Sequence, residues 1–287
     1  MGEAQPLPWP PRREADPGWR RGASAVASLS FDVDGEAAIL AHGEHYAEHL
    51  STMSHQAYGP RVGVPRILEL LARLEVGATF FVPGVTAQRW PGVVEALLAG
   101  GHEVSLHGHR HVAPVELDAG EQEDDLGLAL EALRAAGAEP RGYRAPFWQQ
   151  TRTTLDLLAA AGLDYDSSLM DDDRPYLAGS GEGWVAELPV HWSLDDWEQY
   201  AFLPDPDVGG QIETPAKVLE LWTGELAAMR ATGSLCLVTG HPFLSGRPSR
   251  LRVIERFVAA AREYGDVELA RCDEIAARVL GGPRDAG

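Results

Sequence analysis

The stretch "GATFFVPGVTAQRWPGVVEALLAGGHEVSLHGHRH", residues 77–111, decides the fold. It opens on "GATFFV", a short apolar run that reads as a buried strand. "PGVVEALLAGG" follows with apolar residues at helical spacing and stops on Gly100-Gly101, as helices do. "HEVSLH" is a strand again. A strand, a helix and a strand in this order make a unit whose two strands run parallel, with the helix covering the sheet. The unit ends in "SLHGHRH", where histidines stand at the point at which a strand hands over to its loop.

The same alternation extends in both directions from this unit. Upstream, "AVASLSFDV" (25–33) is a first strand and "VGVPRILELLARL" (62–74) a helix. Downstream come helix "EQEDDLGLALEALRAAG" (121–137), strand end "GYRAPF" (142–147) and helix "TRTTLDLLAAAG" (151–162), for which Thr151 is the N-cap. "LDYDSSL" (163–169) is a short strand. Residues 170–213 read as irregular. Then follow helix 215–233, strand "SLCLVTGH" (234–241), helix 249–265, strand "DVELA" (266–270) and a last helix from about Cys272. About seven such units predict an α/β protein whose parallel sheet closes into a distorted (β/α) barrel. An open doubly wound sheet is the alternative. In both, loops after the C-terminal strand ends build the active site.

Residues 1–24 are rich in Pro and Arg, lack hydrophobic periodicity, and are expected to form an extended arm over the surface or a partner subunit. Residues 25–287 are expected to form one domain. The formal net charge of −19 disfavours nucleic acid and anionic lipid as partners. The N-terminal segment has no apolar signal region, and nowhere do about 18 apolar residues run together. A cytoplasmic location without a membrane partner is therefore expected. Cys236 and Cys272 form no C-x-x-C pair, and two buried free thiols fit a reducing compartment. A homo-oligomer is expected.

The chemistry-bearing residues fall on the strand ends. Asp32 and Asp34 close the first strand, in "FDVDGE". His107 and His111 follow the third, Arg144 the fourth, and His241 a late one. Side chains alternate along a strand, so Asp32 and Asp34 face the same way. They form either a solvated turn or a pair that divides labour between a metal and a proton. A calcium loop of the EF-hand kind would need Gly at Ala37 and Glu at Gly43, and fails at both. His107 and His111, four apart, would share a face at the start of a helical turn and could ligate one cation. Two His and one carboxylate leave coordination positions open for water and substrate. Arg144 is either a surface residue or the guanidinium that keeps a carboxylate ionised. His241 is either structural or an acid for a departing amine. His109 and Glu36 carry no assigned role. Asp195, Asp196 and Asp166 are all candidates to tune His241. Trp184, Trp192 and Trp197 line either a pocket or a core or subunit contact. No G-x-S-x-G, P-loop or G-x-G-x-x-G is present.

Together and in order, "SFDVDGE", "HGHRH", "RAPFW", "YDSSL" and "VTGHPF" resemble the polysaccharide deacetylase family over residues 26–275 or so. The resemblance implies a distorted (β/α) barrel and a divalent metal, zinc above all, held by Asp34, His107 and His111. It makes Asp32 the general base, Arg144 the residue that orients it, and His241 the general acid. Val33 separates two aspartates that the common motif sets side by side. That spacing is similar to a subgroup with intracellular peptidoglycan-deacetylase-like proteins, cyclic imide hydrolases and metal-independent allantoinases. The implied activity is hydrolysis of a non-peptide amide C–N bond. The implied substrate is a small-molecule or amino-sugar amide, by N-deacetylation or by opening of a cyclic imide or allantoin-like ring.

Overall fold

The computed structural model describes residues 9–179 and 183–281. Residues 1–8 of the expected arm and 180–182 of the expected irregular stretch lie outside it. The strands, in chain order, are β1 (Arg12–Glu14), β2 (Ala25–Asp32), β3 (Thr79–Val82), β4 (Glu103–Leu106), β5 (Gly142–Tyr143) and β6 (Tyr165–Asp166). They continue with β7 (Tyr176–Gly179), β8 (Trp184–Glu187), β9 (Leu203–Pro204), β10 (Asp207–Val208), β11 (Leu235–Gly240) and β12 (Val267–Leu269).

Ten of these form one curled sheet in the order β1-β7-β8-β6-β5-β4-β3-β2-β11, with β12 also on β2. β9 and β10 pair separately as a hairpin. From β8 to β11 the sheet is parallel, and at the far edge β7 alone of its described strands is reversed, pairing antiparallel with both β8 and β1. The distorted barrel is therefore present as an open, curled sheet, with more strands than the seven or so expected. The excess lies in the two stretches without clear periodicity. Residues 176–187 hold the β7–β8 pair, and Arg12–Glu14 extends it as an edge strand. No ladder joins β8 to β11 among the described residues. The loop after β8 narrows the gap instead, where Asp196 N–H donates to Thr239 O at 3.0 Å.

Strand alternation sorts β2 into two faces. Ala27, Leu29 and Phe31 pack outward into the main core beneath the helices. Val26, Ser28, Ser30 and Asp32 face the concave side. Helix Val64–Leu74 shows the matching helical logic. Its Val64, Ile67, Leu70 and Leu71 are buried, one stripe at three- and four-residue spacing. Thr151 caps helix Arg152–Ala160 as expected, and Asp118 with Glu121 forms a capping box on helix Ala119–Ala135.

The lower half of the concave side is plugged rather than hollow. Helix Cys272–Val279 and Trp19 pack there with Val26, Leu235 and Leu237. The plug is keyed in by polar contacts: Cys272 N–H donates to Thr79 Oγ1 at 2.9 Å. Both cysteines are buried and free. The upper half, at the C-terminal strand ends, remains for the site. No described helix is long and apolar enough to cross a membrane.

Candidate active site

Asp32, Asp34, His107, His111, Arg144 and His241 all converge at this upper end, and all are buried. β2 ends at Asp32, and Val33 is still held to Phe81 O at 2.8 Å. Asp34 lies just beyond, its own carbonyl accepting Thr86 Oγ1. The two carboxylates have opposite surroundings. Asp32 Oδ1 accepts Arg144 Nη1 at 2.7 Å. Neither oxygen of Asp34 accepts a hydrogen bond from any described residue. Burial pushes both acids up. At Asp32, Arg144, His107 and His241 more than reverse that and hold the carboxyl below its ordinary value. At Asp34 burial prevails, and the carboxyl stays raised.

Arg144 donates from all three of its guanidinium nitrogens. Nη1 also donates to Ser30 Oγ at 2.9 Å, Nε to Ser167 O at 3.2 Å and Nη2 to Ser167 Oγ at 3.1 Å. Its plane lies over Phe81, 4.1 Å from the ring centre. A guanidinium so fixed presents one N–H to Asp32 with little freedom left.

His107 and His111 meet through a loop, not the helical turn expected from their spacing. Gly108 (φ 64°) and His111 (φ 58°) both take left-handed backbone, which folds the chain back on itself. The rings lie 4.9 Å apart, edge to face. His107 Nδ1 donates to Arg144 O at 2.9 Å, so Nε2 is the free nitrogen. It stands 3.4 Å from Asp34 Oδ1, and His111 Nε2 stands 3.5 Å from the same oxygen. Burial, with His107 and His241 adding to it, holds the His111 imidazole well below its usual value and thus neutral. His107 Nε2 and the His111 imidazole, facing a carboxylate to which no described residue donates, make a cage of ligand atoms. A divalent cation satisfies all three at once, so the residues fit a metal.

His241 sits opposite. Its Nε2 is 3.7 Å from Asp34 Oδ2, and its Nδ1 is 2.7 Å from Asp196 Oδ1. Asp196 also accepts the His241 backbone N–H at 2.9 Å and the Ser245 hydroxyl. Asp195 Oδ1 is farther from Nδ1, at 3.5 Å. Of the three candidates, Asp196 makes the direct bond. Asp166 is elsewhere, bonded to Gln150 and Ser168. Burial pushes His241 down, but Asp195, Asp196 and Asp34 hold it well above its usual value. Burial raises Asp195 to about 8. Gly63 lets the neighbouring helix approach this loop: a Cβ there would come within 2.1 Å of Pro242 O.

The cavity over these groups measures about 130 Å³. Its walls are aromatic: Phe147, Trp148, Trp192 and Trp197, with Glu198 beside them. Of the three tryptophans noted in the sequence, two line it. Trp184 lies on β8 instead, under Arg13. His109 does not line it. Its backbone N–H is held by Asp125 at 2.7 Å. Glu36 accepts Trp90 Nε1 at 2.9 Å and is not among the residues lining the cavity. Ser30, Ser167 and Ser245 were not singled out from sequence, since a serine carries no signal until its partner is known.

The sequence pattern of the family described as "Polysaccharide deacetylase" matches residues 57–165. A peptidoglycan deacetylase of Helicobacter pylori is 27% identical over 88% of this chain and 94% of its own. A crystal structure from Mycobacterium smegmatis, described as a "putative polysaccharide deacetylase", is 43% identical with a TM-score of 0.88. It covers 100% of this chain and 98% of its own. The Puue allantoinase structure shares the fold at 24% identity and TM-score 0.81, over 98% of both chains. The chain therefore belongs to the polysaccharide deacetylase family and is a hydrolase of amide carbon–nitrogen bonds.

Proposed function

We propose that this protein is a metal-dependent hydrolase that removes an N-acetyl group from an amino-sugar derivative. The observation that carries the reading is Asp34: two buried oxygens without a hydrogen-bond donor among the described residues, facing two imidazole nitrogens. Asp34, His107 and His111 would hold the metal, most readily zinc given a two-His, one-carboxylate set. Such an ion lowers the pKa of water towards neutrality and polarises an amide carbonyl. Asp32, kept ionised by Arg144, takes the proton of the attacking water. His107 is fixed in the right tautomer by Arg144 O, so one residue orients both base and ligand. His241, protonated at Nε2 and anchored at Nδ1 by Asp196, donates a proton to the departing nitrogen.

Ring opening of a cyclic imide or allantoin-like molecule uses the same bond cleavage, and the small aromatic-walled cavity favours it. Purified, metal-analysed protein assayed in parallel for acetate release and for imide opening separates the two. Acetate release from an N-acetylated sugar supports the first reading. Imide opening without acetate release replaces it by the second.

A further inference from the structure

We propose that the Trp148–Trp192 pair is a size gate that restricts the site to compact amides of about one ring and excludes an oligosaccharide chain. This rests on the amide-hydrolase reading above and adds the determinant of substrate size. Trp148 and Trp192 stack with centroids 4.6 Å apart and planes at 27°. The two rings are unequal. Trp148 is buried at 6% exposure and belongs to the wall, whereas Trp192 is 41% exposed and stands at the rim. Trp148 cannot easily swing away. It and Phe147 both hold left-handed backbone, φ 55° and 57°, and the Phe147 ring is wedged edge-on against His111 at 4.9 Å. Such a conformation in bulky residues persists only where the surroundings enforce it. Trp192 rides on a single short turn, Trp192–Leu194, in the loop that spans the gap between β8 and β11. The fixed ring is therefore the platform and the rim ring the gate.

Size and polarity point the same way. The cavity of about 130 Å³ compares with an apolar cavity of about 150 Å³ that takes one benzene. Sites for larger organic ligands run to roughly 300–1,000 Å³. Beyond the acid, base and metal-ligand groups, the described lining offers indole and phenyl faces and the carboxyl groups of Asp195 and Glu198. Among the described residues, no Ser, Thr, Asn, Gln, Lys or Arg side chain lines it. The hydroxyls of successive sugar units would lose water there with few partners to replace it. A flat, neutral amide loses little and gains contact with the aromatic walls.

The test uses the zinc-loaded full chain, its Trp192→Ala and Trp192→Phe variants, and two probes, acetanilide and tetra-N-acetylchitotetraose. Binding is read from intrinsic tryptophan fluorescence and turnover from acetate release. Wild type should bind acetanilide and not the tetrasaccharide. Trp192→Ala should weaken acetanilide binding and raise the preference for the tetrasaccharide by about tenfold or more. Trp192→Phe, which keeps an aromatic face, should stay near wild type. Acetanilide binding without acetate release would leave the gate standing and remove the deacetylase reading. Tetrasaccharide binding by wild type as tight as acetanilide binding, no acetanilide binding, or an unchanged preference in Trp192→Ala would overturn the gate.

Discussion

Asp32 and Asp34 stand two residues apart, equally buried, and yet are prepared for different work. The difference is which donors reach them. Arg144 meets one oxygen of Asp32, while the described residues bring Asp34 imidazole nitrogens at 3.4–3.7 Å and no hydrogen-bond donor. Asp32→Asn should therefore keep its metal and lower kcat by about 10²–10⁴-fold, measured by metal content beside steady-state rates. His241 is expected to respond to its anchor. Asp196 helps to hold its proton, so Asp196→Asn removes a raising influence and the imidazole pKa falls. The alkaline limb of the kcat/KM profile should then move to lower pH. An unmoved limb would mean that another group sets it.

At the scale of elements, the helices and the long strands were legible because each repeats a simple period. Val64–Leu74 shows its buried stripe, β2 its two faces, and Thr151 its cap. What was not legible depended on pairing partners far away in sequence. β7 and β8 are four residues each and stable only as neighbours. They sit in a stretch whose Asp, Gly and Pro content reads as loop. The histidine pair was legible as a pair, but its route was not: the spacing fits a helical turn, and the left-handed Gly108 and His111 make a loop. Site residues at strand ends were legible because topology alone brings those ends together. The serines around Arg144 and the choice of Asp196 over Asp166 needed the tertiary contacts. Packing of the short strands gives its own prediction. A Cβ on Gly142 in β5 would lie 2.0 Å from the Tyr165 ring in β6. Gly142→Ala should cost about 1–3 kcal/mol, read as a lower melting temperature.

The whole molecule stacks the half that holds the candidate site on a plugged half inside one curled sheet. The plug carries buried acid as well as apolar packing. Glu103 accepts Thr79, Ser105 and Tyr165 hydroxyls and the Asp273 N–H. Burial, with Asp273 adding to it, still pushes its carboxyl from 4.5 up to about 7. The folded value is raised, so its stabilisation is full below 4.5 and lost as pH rises through 7. Relative to Glu103→Gln, wild type should lose about 3 kcal/mol across that window, read from urea unfolding at several pH values. Parallel pH profiles for the two proteins would remove Glu103 from that role. The central claim concerns the upper half, where the proposed metal ligands and the proposed acid and base meet. Its most direct test is metal content together with chelator sensitivity of amide hydrolysis, for wild type and His107→Ala. The account predicts one divalent ion per wild-type chain, activity lost in chelator and restored by zinc, and a His107→Ala protein without either metal or turnover. Full activity of His107→Ala in the presence of chelator would contradict it.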